Sequence, residues 1–81
     1  MGFAVYILFS EKLGRYYVGS TEDVEKRLSA HNAGLSKFTS IGIPWKRIHS
    51  IDCIDRSTAI KLELKIKKRG IKRYLQDCNI V

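Results

Sequence analysis

The pattern of apolar residues along the chain predicts three strands. Residues Phe3 to Phe9 are apolar, aromatic or β-branched, which is typical of a buried strand. A polar turn at Glu11 to Arg15 follows, and strand character resumes at Tyr16 to Gly19. These two runs lie too close together for a crossover connection, so they should form an antiparallel hairpin. A third strand is expected over Trp45 to Ile54.

A first helix is predicted directly after the hairpin. Apolar residues recur at helical spacing from Asp23 to Ala33. Thr21 is the expected N-cap, because the acidic residues that follow it favour the positive end of the helix dipole. Gly34 is the expected C-terminal stop, and Leu35 to Pro44 should be a loop.

The C-terminal third of the chain predicts two more helices. The first spans about Ser57 to Arg69 and is capped by Asp55 or Ser57, and the second runs around Ile71 to Asp77 after Gly70. The order β-β-α-β-α-α describes an α+β fold in which helices flank a three-stranded antiparallel sheet. We expect residues 1–81 to form a single domain, because a chain of 81 residues has room for one modest core.

Two tyrosines on the predicted hairpin are candidates for chemistry. Tyr6 and Leu8 share one face of the first strand, and Tyr17 and Gly19 share one face of the second. A hairpin loop with an even number of residues would place Tyr6 and Tyr17 on the same side of the sheet. The alternative is that both are ordinary half-buried sheet aromatics, a common location for tyrosine.

The first helix adds an arginine and a histidine to the same side. Val24, Leu28, His31 and Leu35 form one stripe that should face the sheet. Arg27 stands four residues before His31, so both side chains can lean over one patch. The alternatives are an arginine whose stem packs on apolar surface and a histidine whose hydrogen bonds are satisfied in the core. An arginine near tyrosines would suit a phosphate, which its planar fork can bind through two hydrogen bonds.

Glu63 is the least expected residue of the second predicted helix. Helical spacing places it near the middle of an apolar arc formed by Ala59, Ile60, Leu62, Leu64 and Ile66. An unpaired carboxylate is costly to bury, so Glu63 should be neutralised by a cation or line a cleft. A Mg²⁺ ion held by one carboxylate, water and a substrate phosphate fits such a site. The alternative is a salt bridge to Arg27 or to Lys67.

The charge of the chain favours a polyanionic partner. Fifteen Lys and Arg residues against eight Asp and Glu residues give a net charge of +7. Nucleic acid is the commonest polyanion in the cytoplasm, although acidic lipid or an acidic protein would also be attracted. No base-reading motif is evident, so contacts should be to the phosphate backbone. The candidate contact residues are Lys26, Lys61, Lys65, Lys67, Lys68, Arg69, Lys72 and Arg73.

The sequence favours a cytoplasmic location. The N-terminus lacks a basic region followed by a long apolar run, and Phe3 to Phe9 is far shorter than a membrane-spanning helix. Cys53 and Cys78 belong to no metal-binding spacing, and we expect both thiols to be reduced.

The order and spacing of these residues resemble one nuclease family. Ala4-Val5-Tyr6 and Tyr17-Val18-Gly19 are similar to the two half-motifs that give the GIY-YIG endonucleases their name. The resemblance extends over nearly the whole chain, and it is greatest to the small stand-alone bacterial members. The positions that carry it further are Ser20-Thr21, Arg27-Leu28, His31-Asn32, Gly34, Ala59, Glu63 and Ile66-Lys67-Lys68.

The resemblance implies hydrolysis of DNA phosphodiester bonds with one divalent ion, Mg²⁺ or Mn²⁺, bound at Glu63. It implies that Tyr6 is the general base, assisted by His31, and that Tyr17 positions the phosphate or the water. Arg27 would stabilise charge on the phosphate. A general-base tyrosine needs nearby positive charge, because a free tyrosine titrates near pH ~10.

Three features depart from the family pattern. Ala4 replaces the glycine of the first half-motif, which is tolerable at an ordinary strand position. Many family nucleases carry an asparagine after the glutamate, and Asn79 is the only candidate here. Many relatives also carry a separate DNA-binding domain, for which this chain has no room.

Three functions are therefore compatible with the sequence. The favoured one is an endonuclease for branched, nicked or damaged DNA in repair or recombination, with a protein partner for targeting as an option. The second is a weakly active or inactive nucleic-acid-binding domain on the same scaffold. The third is an adaptor whose basic helix binds an acidic protein.

Overall fold

The computed structural model describes residues 2–80 as a three-stranded antiparallel sheet with helices on both faces. The elements occur in the order β1 (Phe3–Ser10), β2 (Arg15–Thr21), α1 (Val24–Asn32), α2 (Lys37–Ser40), β3 (Trp45–Cys53), α3 (Arg56–Arg69) and α4 (Ile71–Asp77). The spatial order of the strands is β2-β1-β3, so β1 is central. The predicted α+β class and the antiparallel sheet are confirmed. Within residues 2–80, no helix is long and apolar enough to cross a membrane.

The hairpin between β1 and β2 has the even loop on which the placement of the tyrosines depends. Four residues, 11–14, connect the strands, and the Gly14 N–H donates to the Ser10 carbonyl at 2.8 Å. Gly14 has φ +63°, a conformation that glycine adopts without the steric cost that a β-carbon brings. Tyr6 pairs with Gly19 and Leu8 pairs with Tyr17, so the two tyrosines emerge on the same face.

The sheet separates two clusters of buried side chains. On one face, which we call the α3 face, the buried residues of the sheet and of α3 and α4 are Val5, Ile7, Val18, Ala59, Ile66 and Leu75. On the other, the α1 face, Tyr6, Leu8 and Trp45 pack with Tyr17, Leu28 and other partly buried residues. A β-bulge between Ile7 and Leu8 interrupts the pairing of β1 with β3.

The start of α1 differs from the prediction. Asp23, not Thr21, is the N-cap, since its carboxylate accepts a hydrogen bond from the Lys26 backbone N–H at 3.1 Å. Thr21 instead accepts from the Asp23 N–H at 3.2 Å, which orients the capping residue. At α3, Asp55 is the N-cap, as one of the two predicted options had it.

Three apolar residues expected to be inside are exposed. Leu35 is 78% exposed because α1 ends at Asn32, so the helical stripe does not extend to it. On α3, Ile60 is 42% and Leu64 is 59% exposed. The apolar arc of α3 is therefore narrower than predicted, and Glu63 lies at its border rather than near its middle.

The predicted loop between α1 and β3 contains one unpredicted helical turn, α2. The buried residue of α2 is Thr39. The Thr39 carbonyl accepts the indole N–H of Trp45 at 2.7 Å. The Asn32 side chain pairs with the Trp45 backbone in both directions, donating to its carbonyl at 3.1 Å and accepting from its N–H at 2.7 Å. These bonds fix the loop against α1 and β3.

Candidate active site

The candidate site is centred on the two tyrosines of the α1 face. The ring centroids of Tyr6 and Tyr17 are 6.3 Å apart, and the ring of His31 lies 5.2 Å from that of Tyr17. Tyr6 is buried with 1% exposure, whereas Tyr17 is half-buried and so lies nearer to solvent. Tyr6 lies on the central strand and Tyr17 on an edge strand, so the two tyrosines differ in their access to a substrate.

Gly19 leaves room for the hydroxyl of Tyr6. A β-carbon at Gly19 would lie 2.5 Å from the Tyr6 hydroxyl oxygen, closer than non-bonded atoms approach. The glycine of the second half-motif is thereby explained by packing, since the facing residue on the neighbouring strand is Tyr6 itself. Ala4 lies in the regular ladder of β1, paired with Thr21 and Asp52, so the departure at the first half-motif falls on an ordinary strand position.

A chain of buried hydrogen bonds holds Tyr6 and His31. The Tyr6 hydroxyl lies 3.1 Å from His31 Nε2, and His31 Nδ1 lies 2.7 Å from Thr39 Oγ1. All three side chains are about 1% exposed. Every buried side-chain nitrogen and oxygen among residues 2–80 has a hydrogen-bond partner, so this network satisfies its members without solvent.

Arg27 brings positive charge to both tyrosines from α1. Its interaction with the Tyr6 hydroxyl is the main reason why the pKa of Arg27 is raised, and Tyr17 makes a smaller contribution. The residue is largely exposed, so its guanidinium is accessible to an anion. An always-charged fork beside two phenols is suited to bind a phosphate oxygen.

Burial and charge oppose each other at the Tyr6 hydroxyl. Burial raises the pKa of Tyr6 above 10.0, and nearby Tyr17 and Glu63 raise it further, while Arg27 lowers it. The pKa of His31 is lowered from 6.5 by burial and by the charge of Arg27. The resting pair is therefore a protonated phenol and a neutral imidazole.

Glu63 lies on α3, the helix that packs against the opposite face of the sheet from Tyr6. Its carboxylate is near enough to influence the pKa of the Tyr6 hydroxyl. The side chain is 19% exposed and accepts a hydrogen bond from Lys67 Nζ at 2.8 Å. The Lys67 side chain is 51% exposed, so this ion pair is open to solvent. The structure thus contains the salt bridge that the sequence left as an alternative.

The side chains of residues 2–80 offer Glu63 no preformed metal site. Among residues 2–80, no three His, Cys, Asp or Glu side chains gather as a ready set of ligands. Mg²⁺ is nonetheless often bound by one or two carboxylates together with water and substrate phosphates. A single, partly exposed carboxylate fits that pattern, provided that the metal displaces Lys67.

An open cavity of about 700 Å³ adjoins Arg27, between the start of α1 and the start of α3. Lys26, Arg27 and Arg56 contribute three positive charges to its lining, and Glu22 and Asp23 lie at the same surface. Arg56 was not among the predicted contacts. It belongs to no run of basic residues in the sequence, and only the approach of α3 to α1 brings it to this cavity.

Most of the predicted phosphate contacts belong to a second region. A shallow groove of about 520 Å³ at the junction of α3 and α4 is lined by Lys67, Lys68, Arg69, Lys72 and Arg73, with neighbouring residues. Lys61 and Lys65 are also exposed on α3. Arg69 makes two hydrogen bonds to the Asp77 carboxylate, at 2.8 and 3.0 Å, so its fork is already occupied.

Two polar residues make local contacts that the sequence did not predict. Thr39 contacts His31, although the sequence offered no sign of it, because the contact depends on the unpredicted turn α2. Asn79 follows the end of α4 with φ +59°, and its N–H donates to the Gln76 carbonyl at 3.0 Å. That is the geometry of a residue that terminates a helix.

Comparison with known proteins agrees with this architecture. The model of the GIY-YIG catalytic domain matches residues 2–74. A solution NMR structure of a UPF0213 protein from Bacillus halodurans has a TM-score of 0.60 at 26% identity, covering 99% of this chain and 85% of that one.

Two curated proteins illustrate the range of relatives. The structure-specific endonuclease subunit slx1 of Schizosaccharomyces pombe is 36% identical over an alignment of 89 residues, which covers 95% of this chain. This chain spans only 31% of the length of that protein. A UPF0213 protein of Streptococcus pneumoniae is 36% identical over 75 residues, covering 84% of this chain and 76% of that protein.

Proposed function

This chain belongs to the GIY-YIG family, whose catalytic-domain model spans residues 2–74, and from that membership we propose that it is a metal-dependent DNA endonuclease. The observation that carries the proposal is the buried hydrogen bond between Tyr6 and His31, with Arg27 beside the phenols. A merely structural tyrosine would not need a buried histidine and an arginine at its hydroxyl. This convergence supports phosphodiester hydrolysis at the α1 face.

In the proposed reaction, Tyr6 accepts a proton from the attacking water and passes its own proton to His31 Nε2. The two atoms are 3.1 Å apart, which is hydrogen-bonding distance. The raised pKa of Tyr6 and the lowered pKa of His31 oppose this transfer in the free protein. The transfer therefore depends on positive charge brought to the site together with the substrate.

Arg27 and Tyr17 bind the phosphate in this proposal. The guanidinium of Arg27 stabilises the charge that develops on the phosphate oxygens, and the half-buried Tyr17 positions the phosphate or the water. Glu63 would hold one divalent ion, Mg²⁺ or Mn²⁺, which would supply Lewis-acid stabilisation of the leaving group. These are the roles that the family resemblance implied for the same residues.

The proposed substrate is DNA that is branched, nicked or damaged. The relative from Schizosaccharomyces pombe is named a structure-specific endonuclease, and the net charge of +7 favours contacts to phosphates that do not depend on sequence. The cavity beside Arg27 and the groove between α3 and α4 are two separate basic surfaces that two arms of a branched substrate could contact.

The deciding experiment is cleavage of end-labelled flapped, nicked and plain duplex DNA with Mg²⁺ or Mn²⁺. The wild type should cut at least one substrate, and Glu63→Gln should lose about 100-fold or more in rate while its circular dichroism is unchanged. The matched control is Glu25→Gln, which alters an exposed glutamate of α1 outside the site and should stay within about twofold.

The second candidate function is a DNA-binding domain without turnover. The ion pair between Glu63 and Lys67 favours it, since that contact gives the carboxylate a structural partner. Both candidates predict salt-sensitive DNA binding, so binding cannot separate them. A wild type that binds DNA but cuts none with either ion would support the binding domain and reject the enzyme.

A further inference from the structure

The short helix α2 has one side chain that the proposed chemistry has not used. Thr39 is buried, although it lies between Phe38, which is 80% exposed, and the half-exposed end of the turn. Its hydroxyl lies 2.7 Å from His31 Nδ1. A buried hydroxyl on the far side of a histidine from its tyrosine partner controls which ring nitrogen carries the proton.

A second acceptor beside the Thr39 hydroxyl favours one direction for this hydrogen bond. Its hydroxyl oxygen lies 3.5 Å from the Ser36 carbonyl, which can only accept. If the single hydroxyl proton points to that carbonyl, the oxygen must accept from His31 Nδ1–H. A neutral imidazole carries only one N–H, so Nε2 is then the acceptor and receives the Tyr6 O–H. The opposite tautomer would have Nε2 donating to Tyr6 and unable to take its proton.

We propose that Thr39 is a positioning residue that holds His31 in the Nδ1–H tautomer, leaving Nε2 free to accept from Tyr6. The tautomer itself is a property of the folded chain, while its catalytic consequence rests on the function proposed above. Thr39 touches neither substrate nor reacting atoms, and it acts through the ring of His31. A second partner that orients a histidine in this way is a recurrent device in enzyme sites.

The backbone around Thr39 keeps its hydroxyl in place. The Thr39 carbonyl accepts the Trp45 indole N–H at 2.7 Å, and Trp45 is fixed in turn by two bonds to the Asn32 side chain. Asn32 follows His31 directly on α1. The helix that carries the histidine is therefore tied through β3 to the turn that carries the threonine, so the distance from ring to hydroxyl is set by the fold.

Nuclear magnetic resonance of the histidine rings tests the tautomer directly. The chain has two histidines, so long-range ¹H–¹⁵N correlation spectra resolve His31 from His49, which serves as an internal reference. The wild type at neutral pH should show His31 protonated at Nδ1 and bare at Nε2. Finding the proton on Nε2 in the wild type would overturn the proposal.

Two variants of Thr39 separate the hydroxyl from the shape of the side chain. Thr39→Val should shift the tautomer ratio of His31 toward Nε2–H by about threefold to tenfold, the equivalent of one net hydrogen bond. Thr39→Ser keeps the hydroxyl and should retain the wild-type ratio, whereas His49 should not change in either. An unchanged ratio in a folded Thr39→Val would also reject the proposal, and if that variant does not fold, the wild-type spectrum still decides.

Cleavage kinetics then test the consequence for catalysis. Thr39→Val should lower kcat by about tenfold with KM for DNA unchanged, and Thr39→Ser should restore most of the rate. A tautomer shift without any loss of kcat would remove Thr39 from the mechanism, even if Glu63→Gln still abolished cleavage. An inactive wild type would instead reject the proposed function and leave the tautomer assignment standing.

Discussion

The two faces of the sheet use alternate residues of the same strands for different purposes. On the α3 face, the buried residues are all apolar, and Val5, Ile7 and Val18 meet Ile66 and Leu75. On the α1 face, Tyr6 and Leu8 meet Trp45 in the buried cluster, while His31 and Thr39 are buried beside Tyr6. Successive side chains of a strand point to opposite faces, so one residue step separates the two environments.

This difference indicates where the fold gets its stability and where it holds its chemistry. Apolar burial contributes roughly 25 cal/mol per Å² and needs no special geometry, so the α3 face can stabilise the domain by packing alone. A buried polar network stabilises a fold only if every member finds a partner. The α1 face meets that condition through defined distances between Tyr6, His31 and Thr39. Substitutions on the two faces should therefore fail in different ways.

The largest loss of stability is expected on the α3 face. Ile66→Ala should lower the free energy of unfolding by about 2–5 kcal/mol, because Ile66 is fully buried and the cavity cannot be refilled by its neighbours. Urea denaturation measures the change. The control is Leu64→Ala on the same helix, which is exposed and should change stability by less than about 0.5 kcal/mol. Equal losses in both variants would contradict the assignment of the core to this face.

On the α1 face, Tyr6→Phe should affect cleavage more than stability. It removes only the hydroxyl that meets His31, so the cleavage rate should fall by about 100-fold or more, about 2.7 kcal/mol in activation free energy. The loss of stability should be about 1 kcal/mol. Tyr16→Phe is the control, because Tyr16 lies on the same hairpin but packs against the α3 face. If both variants cut DNA at the wild-type rate, Tyr6 is not the base.

A smaller loss of stability is expected when the hydrogen bonds between α1 and β3 are removed. Asn32→Ala removes both bonds from the side chain to the Trp45 backbone and leaves those groups without their partner. The free energy of unfolding should fall by about 1–3 kcal/mol. Thermal denaturation can compare this variant with Ser29→Ala, an exposed position of the same helix. A loss no greater than that of Ser29→Ala would show that α2 is held by other contacts.

The smallest expected effect is a pH dependence that belongs to the α1 face. Burial, with the charge of Arg27, lowers the pKa of His31 below its ordinary value of 6.5, so the folded state favours neutral imidazole. This contribution to stability is complete above pH 6.5 and is lost as the pH falls through 6.5 toward the folded pKa. Urea denaturation between pH 7.5 and 5 should show the decline.

The variant His31→Gln should flatten that decline, while His49→Gln should keep it. Replacement of Ile66 should lower stability equally at both ends of the range, because none of the buried residues of the α3 face titrates. If the wild type became more stable on acidification, the lowered pKa assigned to His31 would be wrong.

Strands and helices were predictable because their signals are local. The apolar run of β1, the return of strand residues in β2 and the acids before α1 and α3 depend on neighbours in sequence. The errors there are confined to the ends of elements, such as Asp23 replacing Thr21 as the cap. The common face of Tyr6 and Tyr17 was predictable only on condition of an even loop. The four residues between the strands supply that condition.

The rest of the site depends on contacts between elements, which periodicity cannot reveal. Leu35 continues the helical spacing of α1, but the helix has ended before it. Thr39 lies in a segment without any regular pattern, and its role depends on contact with a histidine eight residues away. The same limit applies to Arg56, which lines the same cavity as Arg27 only because the fold brings the starts of α1 and α3 to one surface.

Gly19 links the two half-motifs into one mutational unit. Its missing β-carbon is the space that the phenol of Tyr6 occupies, so neither position can change freely while the other is kept. In a library that varies both, alanine or serine at position 19 should be recovered mainly where position 6 has lost its tyrosine. A natural homologue with a side chain at position 19 should then have moved or lost this phenol. The residue at position 19 therefore indicates whether the adjacent strand keeps its tyrosine in this position.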